Sequence, residues 1–147
     1  IYEPQQTSDL TYRVFDWNRP AGDNRPPHLP QAAAVINPRL WAQPEPAFRA
    51  AAGSTRRMLT ENAYFRLEAL TPSAERLVVD PGGRSFHCLT SARGRARLQG
   101  QDWQTPIEPW ETLFIPACCG PYEIVSLPGP QGEPWQGLLA SLGQSPD

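Results

Sequence analysis

The chain has 147 residues, enough for one domain with a real core, and a formal charge of -2, which gives no general attraction to nucleic acid or to an anionic membrane. All thirteen basic residues are arginine. A catalytic lysine, a Schiff base and a phosphate-loop lysine are therefore excluded from this chain, while guanidinium groups suited to phosphate or a developing oxyanion remain.

The opening stretch, IYEPQQ, starts on an apolar pair without Met and reads as that of a fragment whose upstream part has been cut away. No basic-then-apolar leader follows, and no apolar run approaches the roughly 20 residues that span a bilayer. Residues 11–17, TYRVFDW, alternate. The period of two predicts a strand with Thr11, Arg13, Phe15 and Trp17 on one face and Tyr12, Val14 and Asp16 on the other. Residues 20–46 hold seven prolines and read as a connecting arm over the domain surface, with a short apolar turn or helix at PQAAAVIN. From about residue 62 strand candidates recur: NAYFRLEAL, ERLVVD, SFHCLTS, RARLQG, ETLFIPA, YEIVS and WQGLLAS. Turns are expected at DPGGR, ARG, QGQD and LPGPQGEP, and a frayed tail at QSPD. Short strands at this spacing predict an all-β sandwich or jelly-roll barrel.

The chemistry-bearing residues are few. His28 lies in the proline-rich arm and His87 in a β run, with no second histidine at ligand spacing and no CxxC pair. A zinc site built wholly from this chain is not expected. His87 reads as a buried or half-buried strand histidine and His28 as a surface or packing residue. No GxSxG elbow occurs. Cys88, Cys118 and Cys119 are odd in number and two are adjacent, which is no disulfide framework and suits a reducing, cytoplasmic setting. Cys118 and Cys119 are expected to fill a turn and a core rather than to react. Arg93, Arg95 and Arg97 alternate and are expected on one solvated strand face. Arg13 has two readings. It pairs with Asp9 or Asp16 and stabilises a sheet face, or it points into a barrel mouth and meets an anionic substrate. Composition leaves both open.

The stretch EPQQTSDLTYRVFDWNR resembles a segment of the type I mannose-6-phosphate isomerases in their shorter bacterial form. Gln5, Gln6, Ser8, Asp9, Thr11, Tyr12, Arg13, Phe15, Asp16, Trp17 and Arg19 match at fixed spacing. RPPHLPQAAAVIN is similar to the segment that follows in the family, with His28 at its histidine. RSFHCLTSARGRARLQG and ETLFIPACCGPYEI are similar to strands of its C-terminal half. The resemblance implies a cupin, or double-stranded β-helix, in three parts: residues 1–19 as the end of an N-terminal catalytic half, 20–60 as the proline-rich arm, and 61–147 as a C-terminal half without metal ligands. It implies interconversion of mannose 6-phosphate and fructose 6-phosphate with one zinc ion, and it places the active-site arginine at Arg13, on a rigid strand. The family's zinc ligands would all precede Ile1, and strand positions near His87 and Tyr122 carry no further ones. The expected site residues in this chain are therefore Arg13 alone, with no metal ligand and no cofactor-binding residue. The expected partner is a hexose 6-phosphate, and the fragment by itself is expected to be inactive. The alternative is a metal-free cupin module that binds a sugar phosphate or a protein partner without catalysis. A broken gene copy is the third reading.

Overall fold

The computed structural model describes residues 2–5, 7, 10–19, 26–39, 56–72, 76–128 and 134–143. The chain divides into two compact units, Ile1–Glu45 and Pro46–Asp147.

The first unit holds one helix, α1 (Leu29–Val35). It starts at a proline-compatible position, because Pro30 lies in the first turn, where its missing N–H leaves nothing unsatisfied. Ala32 is its buried residue, and the apolar stretch PQAAAVIN is thus a helix, as anticipated. Residues 11–17 are not the expected strand. The groups that a ladder would use are taken elsewhere: the Arg13 N–H donates to His28 Nδ1 (3.1 Å) and the Arg13 carbonyl accepts the His28 N–H (2.7 Å). The segment then reverses at Trp17 and Asn18, whose φ angles of 53° and 54° lie in the left-handed region, and the Arg19 N–H closes the turn on the Asp16 carbonyl.

The second unit is a two-sheet antiparallel β structure. Its strands are β1 (Arg56–Glu61), β2 (Phe65–Leu70), β3 (Arg76–Val79), β4 (His87–Arg93), β5 (Arg95–Gln99), β6 (Gln104–Ile107), β7 (Thr112–Ile115), β8 (Tyr122–Leu127) and β9 (Gln136–Leu142). One sheet runs β1-β2-β9-β4-β7 and the other β3-β8-β5-β6. The crossing order is that of a jelly roll, and the all-β expectation holds for this unit. Alternation drives the elements: in β3 Leu77 and Val79 are buried between exposed Arg76 and Val78, and in β5 Ala96 and Leu98 are buried between Arg95 and Arg97. The inward residues of both sheets, among them Leu70, Leu89, Leu98, Ile107, Ile124, Leu139 and Trp135, form one core. Burial of each large side chain contributes about 1.5–3 kcal/mol. Trp135 is additionally held by Nε1 donating to Ser91 Oγ (3.0 Å).

Two strands lie where the sequence reading placed none. β1 falls at the end of the stretch read as the arm, and β6 contains Pro106. β6 is an edge strand of its sheet, where a residue without an N–H costs no ladder bond on the open side. The expected shared face of Arg93, Arg95 and Arg97 is not formed. Arg93 ends β4, Gly94 (φ 72°) reverses the chain, and only Arg95 and Arg97 lie on β5. The alternation in the sequence ran across a hairpin turn. The expected QSPD tail and most of the arm lie outside the described residues.

Candidate functional site

Arg13 lies in the first unit and is half-buried. The Thr-Tyr-Arg segment around it belongs to no strand of the described residues, and two hydrogen bonds to His28 hold the Arg13 backbone. His28 is in turn anchored on both sides. Pro26 and Pro27 precede it and restrict the backbone, and its carbonyl accepts the Ala32 N–H (2.9 Å) at the start of α1. The Tyr12 ring meets the His28 ring edge-on at 6.2 Å. Because Nδ1 accepts a hydrogen bond, it carries no proton in this arrangement. Asp16 lies 3.9 Å from Arg19. Asp9, the other partner considered for Arg13, lies outside the described residues, as do Gln6 and Ser8 of the motif.

The second unit has its own polar centre inside the barrel. His87 on β4 and Tyr122 on β8 share a buried hydrogen bond, Nδ1 to the hydroxyl, of 3.0 Å, which joins the two sheets. Beside them Glu68 on β2 is buried and accepts from Arg56 Nη2 (2.6 Å) and Arg56 Nε (3.2 Å), with Arg66 Nε at 3.6 Å. β2 is inverted relative to a simple amphipathic strand. Glu68 pairs with core residue Leu139 on β9 and so shares the inward face with Leu70, whereas Phe65, Leu67 and Ala69 lie on the opposite face of the sheet, where Ala69 is buried as well. Burial lowers the His87 pKa below 6.5 and Arg56 lowers it further, against smaller opposing effects of Glu68 and Asp80. Burial pushes the Tyr122 pKa far up, against the Arg56 charge. At neutral pH this is a neutral imidazole beside a protonated phenol. His87 is the buried strand histidine that its sequence context suggested. The signal for Glu68 was its spacing of two from Leu70, which puts both on one strand face.

The cysteines are free. Cys118 and Cys119 lie on a single 3-10 turn (Ala117–Cys119), Cys118 exposed and Cys119 half-buried against the core, which is the turn-and-core arrangement expected of them. Burial raises the Cys88 pKa, the opposite of an activated thiol.

The zinc implied by the resemblance can be tested against the donors present. His87 Nδ1 is engaged by the Tyr122 hydroxyl and the Glu68 carboxylate by guanidinium groups. Among the described residues no group of three or more His, Cys, Asp or Glu side chains converges, whereas zinc takes three or four such ligands. The described residues do not fit a zinc ion. Among them, no helix is long and apolar enough to cross a membrane.

No protein-family model and no curated protein sequence matches the chain. Among solved structures, the mannose 6-phosphate isomerase from Bacillus subtilis is similar over 90% of this chain and 40% of its own, at 18% identity and a TM-score of 0.64. An uncharacterized conserved protein with a double-stranded β-helix domain from Klebsiella pneumoniae is similar over 71% of this chain and 100% of its own, at 15% identity and a TM-score of 0.53. At these identities the likeness establishes the fold: the barrel is a cupin. The chain spans about two-fifths of the length of the Bacillus isomerase that it matches.

Proposed function

We propose that this chain is the C-terminal portion of an aldose–ketose isomerase acting on mannose 6-phosphate and fructose 6-phosphate, with Arg13 as its electrostatic group and the cupin as a metal-free scaffold. The observation that carries this reading is the fixed-spacing run from Gln5 to Arg19. The coverage of the Bacillus isomerase match supports it, since 90% of the chain is more than Pro46–Asp147 alone supplies. The barrel's buried polar centre offers no free group to compete with Arg13: His87 and Tyr122 are bonded to each other and Glu68 to Arg56.

Aldose–ketose isomerisation moves a proton between adjacent carbons through an enediol-type species, and negative charge develops on the substrate oxygens. A guanidinium stays cationic throughout and can face that charge or grip a phosphate through two parallel N–H donors. His28 is no candidate base through Nδ1, which already accepts the Arg13 N–H. His87 is shut inside the barrel. On this reading, as the resemblance implies, the zinc ligands belong to residues preceding Ile1.

The test is Arg13→Ala in the complete protein, assayed for mannose 6-phosphate turnover and zinc content. The expected result is a fall in kcat of about 10²–10³-fold with zinc roughly intact. Loss of zinc with normal turnover per bound zinc would overturn the assignment. A large rise in KM at constant kcat would instead make Arg13 a phosphate holder. The rival reading, a metal-free module that binds a sugar phosphate or a protein partner, draws on the lack of a metal donor set among the described residues. It expects no turnover in the complete protein.

A further inference from the structure

Among the described residues Arg13 lies on no strand, yet electrostatic catalysis needs a charge fixed to within about half an ångström. We propose that His28 is a positioning residue for Arg13, a proposal that rests on the reading of Arg13 as the group that meets the substrate. The two hydrogen bonds form a closed clamp. One runs from the Arg13 N–H to His28 Nδ1 and the other from the His28 N–H to the Arg13 carbonyl. Both backbone polar groups of Arg13 are thereby satisfied by one residue 15 positions away. His28 can serve as the fixed end because α1 follows it and a Pro-Pro step precedes it. Tyr12 packs edge-on against its ring and limits rotation of the imidazole. The chain thus replaces the rigidity of a sheet ladder with a side chain that imitates a strand partner. Only a residue with a hydrogen-bond acceptor two bonds from Cβ, as in His Nδ1 or Asn Oδ1, can do so.

The test compares His28→Phe and His28→Asn with Arg13→Ala in the complete protein. Phe keeps the ring volume and the Tyr12 contact but has no acceptor. Asn keeps the acceptor and loses the ring. We expect His28→Phe to lower kcat by about 10–100-fold with little change in KM, and to speed amide hydrogen exchange at Arg13 at least as strongly. His28→Asn should keep kcat within about threefold of the parent, which corresponds to less than 1 kcal/mol. If His28→Phe leaves both kcat and Arg13 exchange unchanged while Arg13→Ala abolishes turnover, the positioning role is wrong and the isomerase reading stands. If Arg13→Ala itself has no effect on turnover, the functional reading falls and takes the positioning role with it. Should His28→Phe fail to fold, His28→Asn still decides: a folded Asn variant as slow as Arg13→Ala overturns the acceptor argument.

Discussion

Glu68 is the residue on which the barrel's polar interior turns, and replacing it with Gln tests that interior directly. The carboxylate is about as buried as a core leucine, with a side-chain exposure of 6%, while Arg56 and Arg66 beside it keep 40% and 31%. Glu68→Gln retains the shape but leaves two guanidinium groups facing a neutral amide. Breaking a fully buried pair costs about 3–5 kcal/mol. Here both cations reach water and recover part of that cost, so about 2 kcal/mol is expected. For a unit of this size that lowers the melting temperature by about 8–16 °C. Thermal and urea unfolding of the parent and variant measure it. The double replacement Glu68→Leu with Arg56→Met should recover much of the loss, because exchanging a buried pair for packed apolar groups is often neutral or stabilising. A single Glu68→Gln change costing under about 0.5 kcal/mol, the range of ordinary surface substitutions, would show that the pair is held by solvent-exposed geometry alone and would refute the argument.

The pH dependence of stability should follow His87. Its native pKa lies below 6.5, set by burial and Arg56 against Glu68 and Asp80, with Tyr122 as its bonded partner. On acidification the unfolded state binds the proton first, so below pH 6.5 the unfolding constant rises by up to about tenfold per pH unit until the native pKa is reached. His87→Gln should flatten that limb, and an unchanged slope would assign it elsewhere. Trp110 is 80% exposed with φ 70°, a conformation that costs a side chain about 1–2 kcal/mol. Trp110→Gly should therefore leave the urea midpoint equal or higher, and a clear loss would mean the indole makes a contact worth more than the strain. Cys118→Ala should be nearly silent and Cys119→Ala should lower stability, since only Cys119 packs on the core. A loss of turnover in either variant at unchanged stability would contradict their packing role.

The barrel was legible because its strands are short, apolar and separated by turns whose chemistry is explicit. At DPGGR the Asp80 carboxylate accepts the Gly82 N–H (2.7 Å), and Gly82 and Gly83 take φ angles of 64° and 68°. A side chain at either position would be strained. β1 and β6 were missed for opposite reasons. RRMLTE has too few apolar residues to announce a strand, and QTPI carries a proline that only its edge position excuses. The Glu68 pair was hidden because a charged residue on a strand is ordinarily assigned to the solvent side, whereas on β2 Glu68 shares the inward face with Leu70. The strand expected at residues 11–17 was a true alternation of residue types, but among the described residues the segment forms no ladder.

That last difference bears on function. Period-two alternation records which residues face alike, but extended backbone becomes a strand only when another chain segment takes its N–H and carbonyl groups. At Arg13 a histidine takes both. Inside the cupin the accounting runs the other way. Ser91 Oγ receives Trp135 Nε1 and donates to the Gly94 carbonyl, Thr90 bonds Thr112, His87 bonds Tyr122, and Glu68 holds Arg56. These side chains are committed to each other, and the His87–Tyr122 bond among them ties one sheet to the other. Among the described residues the bonds shown for Arg13 are made by its backbone, which on the proposed reading leaves its side-chain donors for the substrate. On the proposed reading, the contrast between a histidine bonded inside the barrel and an arginine held by its backbone is the physical reason to test Arg13 before His87.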